Sequence, residues 1–193
     1  MKRRITVLGI NCSFFDGGNV AQVLSTALAA AKESGALTKV IHLGDIPHHD
    51  GRREEETHSL KERVARLPQE GDLQKVVKEI LRADGVIFAT PVHWFNMSSR
   101  LLALLSWLAT TTDAPDYALE GKVAAVMAVC EEDGAQSANE KMVSALIHLG
   151  FIIPPFCTYF FNKSSAHKSE GGWQLEDQPR VGHVCVCRKV SCH

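Results

Sequence analysis

Three short segments hold residue types that could together grip a small phosphorylated, ring-bearing ligand. Residues 11–20 read NCSFFDGGNV. Gly17 and Gly18 permit positive φ and close backbone approach. The start of the helix that follows would present free amide hydrogens and a positive dipole end to a terminal phosphate, with Ser13 and Asn19 adding side-chain donors. Residues 90–99 read TPVHWFNMSS. Here Pro91 is expected to stop a strand and fix the chain direction. His93, Trp94 and Phe95 then offer a flat amphipathic face to a planar ring, and the amides of Trp94 to Met97 its polar-edge donors. Residues 130–137 read CEEDGAQS. Gly134 is placed to bring backbone close to such a ring, and Glu131, Glu132 and Asp133 could accept from a ring N–H. This third segment reads equally as a solvated acidic turn before a helix.

The rest of the chain narrows the chemistry. It has 193 residues and a formal charge of −1, so no basic excess draws it to nucleic acid or anionic lipid. After the N-terminal arginines the apolar run Ile5 to Ile10 is too short for a signal core or a membrane span, and the expected location is the cytoplasm. There is no Walker loop and no G-x-G-x-x-G fingerprint, which argues against ATP and a Rossmann-type dinucleotide. Of six cysteines, Cys12, Cys130 and Cys157 are scattered, and Cys185, Cys187 and Cys192 crowd the end. The terminal three, with His193, lack the spacing of a zinc knuckle and read as reduced thiols. His48, His49 and Asp50 are adjacent residues that seldom converge on one ion, so no metal is expected.

The elements that must position the three segments follow from periodicity. A β-rich run over residues 4–10 precedes a helical pattern in which Val20, Val23, Leu24, Ala27, Leu28 and Ala31 share a face before Gly35 ends it. Strands are expected at 37–43, 85–90, 122–130 and 151–161, the last interrupted by Pro154 and Pro155. Helices are expected at 72–84, 98–110 and 137–150. Strands alternating with helices imply parallel pairing with right-handed crossovers. Five strands suggest a flavodoxin-like, doubly wound α/β sheet of order 2-1-3-4-5, in one domain over residues 1–193. The ligand of such a sheet sits beyond the carboxyl ends of its strands, which is where all three segments fall. Residues 45–70 form an irregular excursion with a short helix near Leu60 to Leu67. Residues 163–193 form an atypical tail, with strand-like alternation where a closing helix is usual.

With these segments placed, the sequence resembles the flavodoxin-like NAD(P)H-dependent FMN reductase family, which includes iron-sulfur flavoproteins and quinone reductases of the same fold. GINCSFFDGGNV is similar to the family's phosphate loop, G-x-N-G-S-P-R-K-G-G-N-T. DGVIFATPVHWFNMSSRLLALLSWL is similar to its ring-binding segment, D-x-I-I-x-x-T-P-V-Y-W-x-x-M-S-S-x-L-K-x-F-I-D-R-L. The resemblance implies that Ser13, Gly17, Gly18 and Asn19 serve the FMN phosphate. It implies that Pro91, Val92, His93, Trp94, Phe95 and Asn96 border the isoalloxazine and that Gly134 closes it. It further implies NAD(P)H as donor, a small acceptor such as a quinone or free flavin, and a homodimer or homotetramer. No side chain need act in proton transfer, so no catalytic residue is named.

The departures bear on binding. The family's Pro-Arg-Lys becomes Phe14, Phe15 and Asp16, which removes two cations and adds an anion, and its closing Thr becomes Val20. A charge-assisted hydrogen bond is worth about 1.5–3 kcal/mol, so FMN affinity is expected to fall unless other groups compensate. In the helix that follows the ring segment, Leu102 and Ser106 replace Lys and Asp. No cysteine cluster lies between the second and third strands, the usual place of an iron-sulfur centre. Three readings therefore stand: an FMN-dependent oxidoreductase, an electron carrier or flavin-binding module without NAD(P)H activity, and a degenerate fold that has lost FMN.

Overall fold

A computed structural model describes residues 3–47, 49, 59–69, 71–112 and 116–163, and the strand pairing of residues 168–169 and 172–173. Its elements run β1 (Thr6–Asn11), α1 (Asn19–Glu33), β2 (Leu37–His42), α2 (Leu60–Arg66), α3 (Leu73–Arg82), β3 (Gly85–His93), β4 (Asn96–Met97), α4 (Ser99–Thr112), β5 (Val123–Cys130), α5 (Ala135–His148) and β6 (Thr158–Asn162). A small antiparallel pair, β7 (Lys168–Ser169) and β8 (Gly172–Trp173), follows.

The main sheet has the order β2-β1-β3-β5-β6, with all four neighbour pairings parallel. Setting aside the two-residue β4, this is the flavodoxin-like order expected of five strands. β3 lies at its centre between β1 and β5, and every residue of β5 is buried. That explains why the sequence of these strands shows no polar alternation: both faces are covered by apolar groups. Val86 and Phe88 point into a cluster with α3, α4 and α5, through Val77, Leu104 and Met142, whereas Ile87 and Ala89 point into a second with Val23 and Leu24 of α1. Among the described residues α1 is the helix that covers this second face.

Pro91 does not end its strand. β3 continues to His93, and Pro91 pairs with Val129 of β5. Ala89 accepts the Cys12 amide through its carbonyl, so Pro91, two residues on, turns its donorless nitrogen toward the same side. β1 has ended at Asn11 by then, and the Cys12 carbonyl just beyond it accepts from the Ser98 hydroxyl, so no acceptor there is denied a partner. The chain then folds back at once, with His93 paired to Asn96 and Val92 to Met97.

The excursion after β2 contains the expected short helix. Ser59 caps α2 by accepting from the Glu62 amide, while the Glu62 carboxylate accepts from the Ser59 amide. His49 is half-buried rather than exposed: it meets Trp107 edge-on at 4.3 Å and hydrogen-bonds Thr110. Trp107 in turn donates to the Pro47 carbonyl, which ties the excursion to α4. His48, Asp50 and the cysteines at 185, 187 and 192 lie outside the described residues.

Candidate functional site

At the carboxyl edge of the sheet the chain leaves β1 through a turn that its own side chains organise. Asn11, fully buried, accepts the Ser13 amide through its side-chain oxygen, and Ser13 accepts the Phe15 amide through its hydroxyl. These consecutive side-chain turns steer the loop into α1. The helix starts at Asn19 with Gly18 as its N-cap, with no side-chain cap bond and no acidic residue in its first turn. Its leading amide hydrogens are thus left for a ligand. Gly17 lies in open space, where an added Cβ would meet nothing within 4 Å. Neither Gly17 nor Gly18 uses the positive φ that glycine permits. At Gly18 the backbone is extended, with φ −78° and ψ −175°.

The second segment is a two-residue hairpin whose tip is Trp94 and Phe95, at φ 50° and 60°. Positive φ at both central positions belongs to the hairpin turn that matches strand twist, where Asn-Gly is the usual choice. Bulky residues there cost about 1–3 kcal/mol each. The Trp94 side chain gains nothing from the protein in return, because it is 96% exposed. Strain combined with exposure of a large aromatic group is not what packing of a core would produce. Phe95 and His93 are exposed, Pro91, Val92 and Asn96 are half-buried, and the Asn96 side-chain oxygen accepts the Met97 amide.

The third segment closes on the hairpin. Gly134 adopts φ 88° as the N-cap of α5 and lies against Phe95. A Cβ on Gly134 would stand 2.9 Å from the Phe95 Cα, closer than packing permits. The acidic side chains of this turn are partly committed to their own chain. Asp133 accepts the Gly134 amide at 2.6 Å, and Glu131 pairs with Lys163 at 2.9 Å. Lys141 donates to the Phe95 carbonyl at 3.1 Å and fastens the hairpin to α5.

The first and second segments also meet. The Ser98 hydroxyl donates to the Cys12 carbonyl at 3.1 Å, and the Ser98 amide donates to Thr90 Oγ1 at 3.0 Å. Phe14 lies parallel to His93, with ring centroids 6.3 Å apart and 10° between planes. Phe14 and Phe15 are 55% and 75% exposed, so neither is buried inside the turn. Asp16 is exposed, with its carboxylate 3.4 Å from His42 Nδ1, which accepts from the Asn11 side-chain amide at 3.0 Å. The added anion is therefore turned toward the β2 edge. Buried Cys12 and Cys130 have thiols pushed up by desolvation, which keeps them protonated and poor nucleophiles.

Sequence reasoning missed Arg100. Its guanidinium donates to the Leu43 carbonyl at 3.1 Å, to the Ser13 carbonyl at 3.5 Å and to Asp45 at 2.8 Å, and it lies 3.9 Å from the Phe14 ring centroid. A signal was present: a cation in the first turn of a helix sits at the wrong end of the dipole. An uncapped helix start, open space at Gly17 and an exposed aromatic tip held against Gly134 suit a phosphate at one end and a planar ring at the other.

The fold defines the class: a flavodoxin-like α/β protein, with three loops gathered at the carboxyl edge of its sheet. Comparison with known proteins narrows it. The chain belongs to the NADPH-dependent FMN reductase family, whose model matches residues 5–166. It is accordingly a flavin-dependent oxidoreductase of the NAD(P)H-dependent FMN reductase kind, with FMN as cofactor. An iron-sulfur flavoprotein of Methanosarcina thermophila is 26% identical over 147 residues, which span 74% of this chain and 70% of the relative. The fold matches that of an NADH:FMN oxidoreductase (EMOB) in its apo form, at 21% identity and TM-score 0.61, over 83% of this chain and 76% of the other. It also matches an archaeal flavodoxin, at 12% identity and TM-score 0.61, over 97% and 99%. Among the described residues no helix is long and apolar enough to cross a membrane, and no three His, Cys, Asp or Glu side chains are grouped to hold a metal.

Proposed function

We propose that this protein binds FMN across the three turns and passes electrons from NAD(P)H through it to a small acceptor such as a quinone or free flavin. The observation that carries the reading is the convergence of the turns: Ser98 ties the hairpin segment to the turn after β1, and Gly134 packs on Phe95. Bound FMN supplies the redox chemistry, and the protein supplies binding, orientation and shielding. In this reading Ser13, Gly17, Gly18 and Asn19 hold the phosphate through helix amides and side-chain donors. Pro91, Val92, His93, Trp94, Phe95 and Asn96 border the ring, and Gly134 closes its far side. The Ser13 hydroxyl accepts from Phe15 and keeps its own proton to donate. The exposed hairpin tip also supports self-association as a homodimer or homotetramer, in which a second subunit would cover Trp94. The cytoplasm, where NAD(P)H is available, is the location this reading assigns.

The experiment is an anaerobic titration of the FMN-loaded protein with NADPH and NADH. Rapid loss of the visible flavin band, followed by its return on adding a quinone, supports the reading. A second reading, an FMN-holding carrier without NAD(P)H chemistry, is favoured by the exposed acidic turn Glu131, Glu132 and Asp133 beside the site, whose three carboxylates exceed the one lysine paired to them and would repel a dinucleotide's phosphates. Reduction by dithionite but by neither nicotinamide would select the carrier. Failure to take up FMN at all would remove both.

A further inference from the structure

We propose that Arg100 is the positioning residue for the phosphate end of the flavin site, supplying from α4 the positive charge that the turn after β1 lacks. The proposal rests on the reading of that turn as the FMN phosphate site. The turn itself contributes no cation: between Asn11 and Val20 its one charged side chain is Asp16, whose carboxylate lies beside His42. A phosphate carrying nearly two negative charges would meet only amide dipoles and hydroxyls there.

Arg100 reaches this turn from the opposite side. Its side chain is only 17% exposed, which is low for a cation, and its guanidinium is fixed on four sides. It holds the carbonyls of Ser13 and Leu43, the carboxylate of Asp45 and the face of Phe14. Its Nε is buried with no hydrogen-bond partner among the described residues. The position is costly twice over, since a cation in the first turn of α4 opposes the helix dipole and a buried guanidinium donor goes unpaired. Charge placed against local cost in this way is a feature of functional sites. Through the Ser13 carbonyl and the Phe14 ring Arg100 also grips the turn itself. Phe14, which stands where the family has Pro, then has a role of its own: its ring carries the guanidinium through a cation–π contact. Asp45 is 93% exposed and draws charge away from the turn, so it limits the effect.

The test compares FMN with riboflavin, which carries the same ring and ribityl chain without the phosphate. Flavin fluorescence quenching gives both dissociation constants for the wild type, R100Q, R100K and D45N. R100Q is expected to weaken FMN about tenfold or more while riboflavin changes less than twofold, as for loss of a charge-assisted contact. R100K, which keeps the charge, is expected to retain the preference for FMN within about threefold of wild type. D45N, at an exposed side chain, is expected to tighten FMN severalfold with riboflavin unchanged. Equal weakening of both ligands in R100Q would make Arg100 a brace for the loop alone and overturn the proposal, as would R100Q with wild-type affinity for both. Should R100Q fail to fold, D45N decides: an unaltered ratio of FMN to riboflavin affinity overturns it. A wild-type protein that binds neither ligand defeats the flavin reading itself, and this proposal with it.

Discussion

Gly134 and Phe95 approach so closely that a Cβ on the glycine would fall 2.9 Å from the Phe95 Cα. Two loops from different strands therefore share one contact in which neither backbone has room to yield. The glycine is required twice, because its φ of 88° also lies where side chains are strained.

The first prediction concerns that contact. G134A is expected to destabilise the fold by about 1–3 kcal/mol through left-handed strain and displacement of the hairpin. FMN affinity should drop by more than the stability change alone explains. Urea denaturation and flavin titration of the same preparation check both. A variant with wild-type stability and affinity would show that the two loops do not depend on each other.

Trp94 should separate stability from function. Its side chain is almost wholly exposed while its backbone sits at φ 50°. W94G removes the strain and is expected to leave stability unchanged or raise it by about 1 kcal/mol. The same change is expected to weaken FMN about three- to tenfold through loss of an aromatic face worth about 0.5–1.5 kcal/mol. Thermal melts and fluorescence titration read the two effects, and a fall in melting temperature without loss of binding would contradict the assignment.

Acid stability offers a third test, away from the site. Lys39 of β2 pairs with Glu79 of α3 at 2.8 Å and holds the Glu79 carboxyl below its usual range, with Arg82 adding to the effect. A carboxyl depressed in the folded state stabilises above its unfolded pKa, here the ordinary 4.5. That contribution is lost as pH falls through the lower folded value. E79Q is expected to cost about 0.5 kcal/mol at neutral pH and nothing at low pH, because the pair is partly exposed. Urea midpoints measured across the acid range would show the two curves merging.

Thiol reactivity gives a fourth. Cys12, Cys130 and Cys157 are all buried, and burial pushes the thiols of Cys12 and Cys130 up. In a variant with serine at positions 185, 187 and 192, these three thiols are expected to react with Ellman's reagent only after denaturation. Fast reaction of any one in the native protein would show that its surroundings open.

The sequence alone determined the sheet and its edge. Strands whose residues are apolar at every position must be buried on both faces, so GVIFAT and KVAAVMAVC had to be central, and helices alternating with them forced parallel pairing. The same reasoning located the three loops, because in such a sheet they emerge at one end. It also placed a short helix near Leu60 to Leu67, which the structure shows to be held by a local device, the capping box of Ser59 and Glu62. Pro91 was misread as a stop because its cost depends on whether a neighbour needs its missing donor, and that neighbour, β1, ends 80 positions earlier in the chain, at Asn11. The tight hairpin at Trp94 and Phe95 was hidden for a related reason: aromatic residues do not favour positive φ, and pairing between β3 and β4 overrides their preference. Arg100 lay outside local reading altogether. Its partners Ser13, Leu43 and Asp45 are between 55 and 87 residues away, and only packing of α4 against the ends of β1 and β2 brings a cation to a turn whose own sequence has none. Local rules act over a few residues, whereas charge and steric fit act through space, so the elements were legible one by one and their convergence was settled by the tertiary fold.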